Sequence, residues 1–157
     1  MLRHYVLGFA FSPDYARVAL IRKRRPAWQA GYLNGIGGKL EAPERPVQAM
    51  VREFREETGA GTAPDDWRRL ASLRFEGARV DVFETCRADL TSLDTMTDEP
   101  VIIIPSLPVP PDAIANLNWL IPLAIQGVDA PVRVRSAGRE DVLAGLVQKA
   151  GCPAVVS

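Results

Sequence analysis

The sequence predicts a layered α/β (α+β) domain, with a mixed sheet and two or three helices. Three observations predict it. Apolar residues make up 47% and charged residues 24% of 157, which is ordinary globular usage in a chain long enough for one sizeable core. Short apolar runs, alternating or rich in branched residues, recur along the chain as strands do. Between them one segment, 46–58, repeats its apolar residues at helical spacing. The whole chain, 1–157, is expected to be a single domain, since no repeat, linker or low-complexity tract divides it.

The elements follow in order. Residues 4–11, HYVLGFAF, are a strand; SPDY turns the chain, and 16–21 form a second strand. Arg22, Lys23, Arg24 and Arg25 make a basic patch at its end. Residues 26–38 carry Gly and Pro signals and read as a loop with a short strand. In the helix from Pro46 to Thr58, Val47, Met50, Val51 and Phe54 form one apolar stripe, and Gly59 is placed to cap it. Residues 69–75 and 79–86 are an antiparallel pair joined near Glu76-Gly77, with Val80, Val82 and Phe83 inward. PVIIIPS, 100–106, is a short strand buried on both faces. Residues 112–126 are a helix that Pro122 is expected to kink or end. PVRVR, 131–135, is an exposed strand, and GREDVLAGLVQKA a final amphipathic helix.

Composition narrows the function. Nineteen basic and nineteen acidic residues leave no net charge, so no general electrostatic argument favours duplex nucleic acid or an anionic membrane; a local basic pocket remains open. Cys86 and Cys152 match neither a zinc nor a redox spacing and are expected to be reduced, partly buried thiols. His4 is the single histidine, so Ser/His or Cys/His nucleophile pairs are not expected, and His4 itself reads as a strand-end residue. The first apolar run lacks the marks of a secretory signal, and VIIIP is far too short to span a bilayer. The expectation is a soluble, cytoplasmic protein.

The carboxylates on the predicted helix carry the chemistry. Glu53, Glu56 and Glu57 stand at i, i+3 and i+4 and share a face, with the apolar stripe directed elsewhere. Like charges one turn apart cost a few tenths of a kcal/mol per pair. A divalent cation offsets that cost: Mg²⁺ takes carboxylate oxygens, waters and substrate phosphates. Arg52 can pair with Glu56 four residues on. Gly35, Gly37 and Gly38 let the backbone come close, so a carbonyl there could join the ion. Lys39 and the patch 22–25 could receive a polyphosphate. These residues describe a metal-dependent site for a phosphorylated ligand.

Gly38, Glu44, Arg52, Glu53, Phe54, Glu56, Glu57, Gly59 and Ala60 resemble the signature Gx5Ex7REUxEExGU of Nudix hydrolases, where U is bulky and apolar. Only Ala60, which is small, is weak. The resemblance implies a Nudix α/β/α sandwich and cleavage of a nucleoside diphosphate linked to another group. It implies Glu53 and Glu57 as main ligands of Mg²⁺ or Mn²⁺, Glu56 as a further ligand or part of the water-activating network, and a backbone carbonyl from Gly37 or Gly38. Arg52 would orient a glutamate and Glu44 would brace the loop against the helix. The general base is open among Glu56, Glu57 and Glu99. Nudix proteins often dimerise, so a homodimer is one expectation, though no residue argues for it.

Branch marks narrow the substrate. LRFEG lacks the proline of ADP-ribose hydrolases, no tyrosine follows Tyr32 as in dinucleoside polyphosphate hydrolases, and the coenzyme A signature is absent. What remains is similar to the MutT-like nucleoside triphosphate pyrophosphohydrolases, with Asn34 and Trp119 at the places of a base-reading Asn and a pocket aromatic. Asp98-Glu99 resembles a downstream acidic pair that can supply a ligand or base. Where oxidised-purine enzymes carry adjacent carboxylates, this chain has Ala115 and Asn116, which puts that specificity in doubt; Asn116 can still pair with a base edge. The alternatives are hydrolysis of a nucleotide sugar or dinucleotide, and a non-catalytic nucleotide-binding regulator. The structural alternatives are a hairpin turn for Asn34, a core aromatic for Trp119 and a solvated loop for Asp98-Glu99.

Overall fold

The computed structural model describes residues 2–136. Eight strands form one mixed sheet: β1 (Arg3–Phe11), β2 (Arg17–Arg22), β3 (Leu33–Asn34), β4 (Ile36–Lys39), β5 (Arg68–Phe75), β6 (Ala78–Cys86), β7 (Val101–Pro105) and β8 (Val132–Arg135). Two helices, α1 (Pro46–Thr58) and α2 (Leu117–Gln126), complete it. The main strand order is β3-β2-β1-β6-β5-β8.

β1 organises the sheet. It runs parallel to β6 along its whole length. On its other edge its first half pairs antiparallel with β4 and its end with β2. Side chains alternate across a strand, so β1 feeds two cores. Phe9 and Phe11 join Leu117, Leu120 and Ile121 of α2. Val6 and Ala10 join Ala49, Met50 and Phe54 of α1. The helices therefore cover opposite faces, an α/β/α sandwich.

Local chemistry sets the helix ends. Pro46 starts α1 where its missing N–H costs nothing, and Gln48 Oε1 accepts the Arg45 N–H at 2.7 Å. Gly59, at φ 77°, ends the helix in the left-handed conformation.

Three expectations change. First, 112–116 are not helical. Leu33 N–H donates to Asp112 O at 2.9 Å and Ile114 N–H to Leu33 O at 2.8 Å, so this stretch is committed to β3 and α2 starts only at Leu117. α2 then runs on through Pro122 to Gln126; the carbonyl that loses a donor belongs to Asn118, which is exposed and open to water. Second, β7 is half-buried rather than buried on both faces, because it pairs with β2 alone. Third, Cys86 is exposed, being the last residue of β6. Phe83 and Val82 are both buried, but in different cores. Cys152 and the final amphipathic segment lie outside the described residues. No described helix is long and apolar enough to cross a membrane.

Candidate active site

α1 lies against β4, and that contact builds the site. A Cβ on Gly38 would stand 2.5 Å from the Glu53 carboxyl carbon, and one on Gly37 would stand 2.0 Å from the Val6 carbonyl oxygen. Glycine at both positions lets β4 pass between β1 and the helix carboxylates.

The three helix glutamates do not share one environment. Met50, Phe54 and Glu57 fall at i, i+4 and i+7, so Glu57 lies on the buried stripe itself and is 8% exposed. Its Oε2 is buried and has no hydrogen-bond partner. Burial pushes the Glu57 carboxyl up from 4.5 to about 8; Lys23 opposes this, while Glu53 and Glu99 add to it. A hydrogen bond from the Gly37 backbone favours the charged form. Glu53 is also raised by burial, against the pull of Arg52. Glu56 faces solvent, at 57% exposure.

Arg52 is fixed by more than the expected Glu56. It donates to both oxygens of Glu44, at 3.1 and 2.6 Å, to Glu53 Oε1 at 2.8 Å and to the Lys39 carbonyl at 3.0 Å. Of its hydrogen bonds, the one to Glu56 is the longest, at 3.4 Å. Glu44 also accepts the Glu41 N–H at 2.7 Å. Glu44 and Arg52 thus tie the loop to the helix and hold Glu53 still.

Glu99 reaches the same place from the loop before β7. It is 6% exposed and accepts from Lys23 Nζ at 2.9 Å and from the backbone N–H groups of Arg24 and Arg25 at 2.6 and 3.3 Å. Burial would raise its pKa, but these donors hold it below the usual carboxylate range. Asp98 turns outward to Arg25.

A cavity of about 540 Å³ opens on the α2 side of β1. Lys23, Asn34, Gly37, Gly38 and Asn116 line it. Asn34 Nδ2 donates to Gln29 Oε1 at 3.0 Å, and Asn34 Oδ1 accepts the Gly35 N–H at 2.8 Å. Arg22, Arg24 and Lys39 do not line it. Arg22 is held by Asp112 and the Gly31 carbonyl, at 2.9 and 2.8 Å, and Arg24 lies 4.0 Å from Asp98. Trp119 is neither a core residue nor part of this cavity; it is 37% exposed and lines an adjoining hollow with Leu73, Phe75 and Val134.

Sequence reasoning missed Trp28 and Gln29, which line the main cavity from a single 3₁₀ turn. The signal was an aromatic inside a loop whose base is closed by Lys23 N–H to Tyr32 O and Gly31 N–H to Lys23 O, both 2.8 Å. Arg25, from the basic patch at 22–25, also lines the cavity.

Among the described residues, no three Asp, Glu, His or Cys side chains are already gathered as a formed metal cluster. The donor set nevertheless suits a hard divalent cation. Glu57 offers a buried, unpartnered oxygen, and Glu53 and Glu57 are both pushed toward neutrality, chiefly by burial and also by neighbouring carboxylates: Glu56 and Glu41 for Glu53, Glu53 and Glu99 for Glu57.

A family model described as the NUDIX domain matches residues 1–131. The chain belongs to the Nudix hydrolase family. No curated protein matches the sequence. Among solved structures, it is similar to a MutT/nudix family protein from Enterococcus faecalis: 17% identical over 67% of this chain and 44% of that one, with a TM-score of 0.60. The chain therefore spans less than half of that protein's length. A NUDIX hydrolase from Nitrosomonas europaea is 18% identical, over 86% of this chain and 80% of that one, at a TM-score of 0.67. A MutT NUDIX hydrolase from Burkholderia pseudomallei is 17% identical, over 78% of this chain and 98% of that one, at a TM-score of 0.66. At these identities the likeness shows the fold.

Proposed function

We propose that this Nudix protein is a Mg²⁺- or Mn²⁺-dependent pyrophosphohydrolase that converts a nucleoside triphosphate, ordinary or modified, to the monophosphate and pyrophosphate. One observation carries the reading: Gly37, Gly38 and Lys23 belong both to the cavity and to the carboxylate site. A nucleoside in the cavity would have its phosphates beside Glu53 and Glu57.

Each residue then has a role. Glu53 and Glu57 would hold the cation, with Glu56 at its exposed side and a carbonyl of Gly37 or Gly38 in support. When bound, the cation polarises a phosphoryl oxygen and lowers the pKa of a bound water. Arg52, itself held by Glu44, keeps Glu53 in place. Lys23, held by Glu99, faces the polyphosphate charge. Glu99 already accepts three hydrogen bonds, which suits it to positioning Lys23 rather than to taking a proton. Glu56, with only its long Arg52 contact, is the carboxylate with room to take the proton of the attacking water. That water forms one new P–O bond as one P–O–P linkage breaks. Asn34 and Asn116 would read the base edge, and Trp28 offers it a stacking face. Three amides line this cavity, at 29, 34 and 116, with no carboxylate among the described residues. That favours a neutral base edge over an oxidised purine read by paired carboxylates.

The test is product analysis with Mg²⁺ on ordinary and oxidised nucleoside triphosphates, ADP-ribose, a dinucleoside polyphosphate and a nucleotide sugar, with Glu57→Gln as control. Pyrophosphate from a triphosphate with wild type alone supports the reading. Turnover confined to the other compounds discards the branch. Binding without turnover across the panel replaces catalysis with a regulatory role.

A further inference from the structure

The net charge of zero conceals a segregation. β6, β5 and β8 are the last three strands on one side of the sheet. In their register His4 of β1 stands opposite Arg79, Arg79 opposite Arg74, and Arg74 opposite Arg135. Directly opposed residues share a face, so these four side chains form one row across four strands. Two positions along the strands, Asp81, Ser72 and Arg133 form a second row on that face, and beyond it Arg69 opposes Phe83. The face therefore carries five arginines and a histidine. On the described parts of these strands it carries one carboxylate.

That carboxylate is fully committed. Asp81 is completely buried and binds His4 Nε2 at 2.5 Å and Arg79 at 3.1 Å, with Arg69 at 3.7 Å. Arg69 also lies over the Phe83 ring, and Arg79 Nε is buried without a partner. Arg74, Arg133 and Arg135 are exposed, and none has an ion pair with a described carboxylate. Among the described elements, α1 packs chiefly over β4 and β1 and reaches only the near edge of β6. Neighbouring strands are about 4.8 Å apart, so the row from Arg79 to Arg135 places three guanidinium groups within about 10 Å. Like charges so placed are destabilising unless an anion lies across them.

We infer that this outer sheet face binds the phosphate backbone of a single-stranded nucleic acid, apart from the nucleotide cavity. Every cation on the face that lacks a carboxylate is arginine, whose planar fork grips phosphate oxygens two at a time. The exposed row has no aromatic or aliphatic anchor, which a protein partner would require; phosphate contacts require none. One line of charge meets one backbone, whereas a duplex presents two, separated by its grooves. The cavity residues Tyr5, Leu7, Leu73, Phe75 and Val80 alternate with the arginine positions and so project from the opposite face.

The test is fluorescence anisotropy of a short fluorescein-labelled oligothymidylate with the full chain, titrated with salt. About three phosphate contacts predict a slope of log affinity against log salt near −2, or roughly 20-fold weakening from about 50 to about 200 mM salt. The triple variant Arg74→Gln/Arg133→Gln/Arg135→Gln should melt like wild type, keep its nucleotide turnover and lose at least tenfold in oligonucleotide affinity, with a slope near zero. A non-hydrolysable triphosphate at saturation should leave the oligonucleotide bound. Absence of binding at low salt, or unchanged binding by the triple variant, overturns the inference. So does displacement by the triphosphate analogue, equal competition by polyglutamate, or equal affinity for a duplex of the same length. If the variant does not fold, the wild-type slope decides alone, and a value shallower than −1 overturns it.

Discussion

Replacing Glu57 by glutamine should stabilise the metal-free protein while removing its activity. Glu57 is 8% exposed, and burial moves its pKa from 4.5 to about 8. At neutral pH the folded group keeps its proton while the unfolded one is ionised, which lowers stability by about 3 kcal/mol relative to its low-pH value. Glutamine has nearly the same shape and no such cost. The sign follows from linkage. The folded pKa is raised, so the folded state holds the proton more tightly. The stability this gives is fully present below about pH 4.5 and is lost as pH rises through about 8. For a chain of this size 1 kcal/mol is roughly 2–4 °C in Tm, so the variant should melt about 6–12 °C above wild type at neutral pH in EDTA. The two should converge near pH 4.5 and differ most above about pH 8. Mg²⁺ should close the gap from the wild-type side, since a ligand at a hundred times its Kd adds about 2.7 kcal/mol to the state that binds it. Thermal melts by circular dichroism, with and without Mg²⁺ across this pH range, make the measurement. A variant that melts at or below wild type at neutral pH in EDTA would refute the argument from burial.

Four other substitutions separate the parts of the site. Gly38→Ala brings a methyl group against the movable Glu53 carboxylate, whereas Gly37→Ala brings one against the Val6 carbonyl; the first should lower kcat with little change in Tm, and the second should lower Tm, as activity and melting assays will show. Arg52→Lys keeps the charge but loses the two-point grip on Glu44; it should cost about 1–3 kcal/mol in denaturant unfolding and at least tenfold in kcat, and an unchanged kcat would mean Arg52 does not position Glu53. Trp28→Ala should raise KM roughly five- to a hundredfold if the ring stacks on the base, with kcat nearly unchanged; a steady-state comparison of the two constants decides it.

Much of this molecule was legible in the one-dimensional order of its residues, because the deciding interactions are local. Pro46, the apolar repeat through Phe54 and Gly59 specify α1 within fourteen positions, and the signature residues from Gly38 to Gly59 ride on β4, the loop after it and that helix. Strands β1, β2, β5 and β6 announce themselves by branched and aromatic runs. Distant pairings were not legible. Asp112 and Ile114 look helical until Leu33 takes their backbone groups. Glu56 and Glu57 are neighbours of one type in the chain, and only the packing of α1 on β4 makes one exposed and the other buried. Trp28 and Trp119 could not be told apart by sequence, since a closed loop carries one into the cavity and a delayed helix start leaves the other outside it. The arginine row exists only in the register of β1, β6, β5 and β8. The sequence by itself determined which residues could do chemistry and which local elements would carry them. The tertiary structure decided their burial, partners and charge states, because desolvation and cross-strand neighbours depend on contacts between residues far apart in the chain.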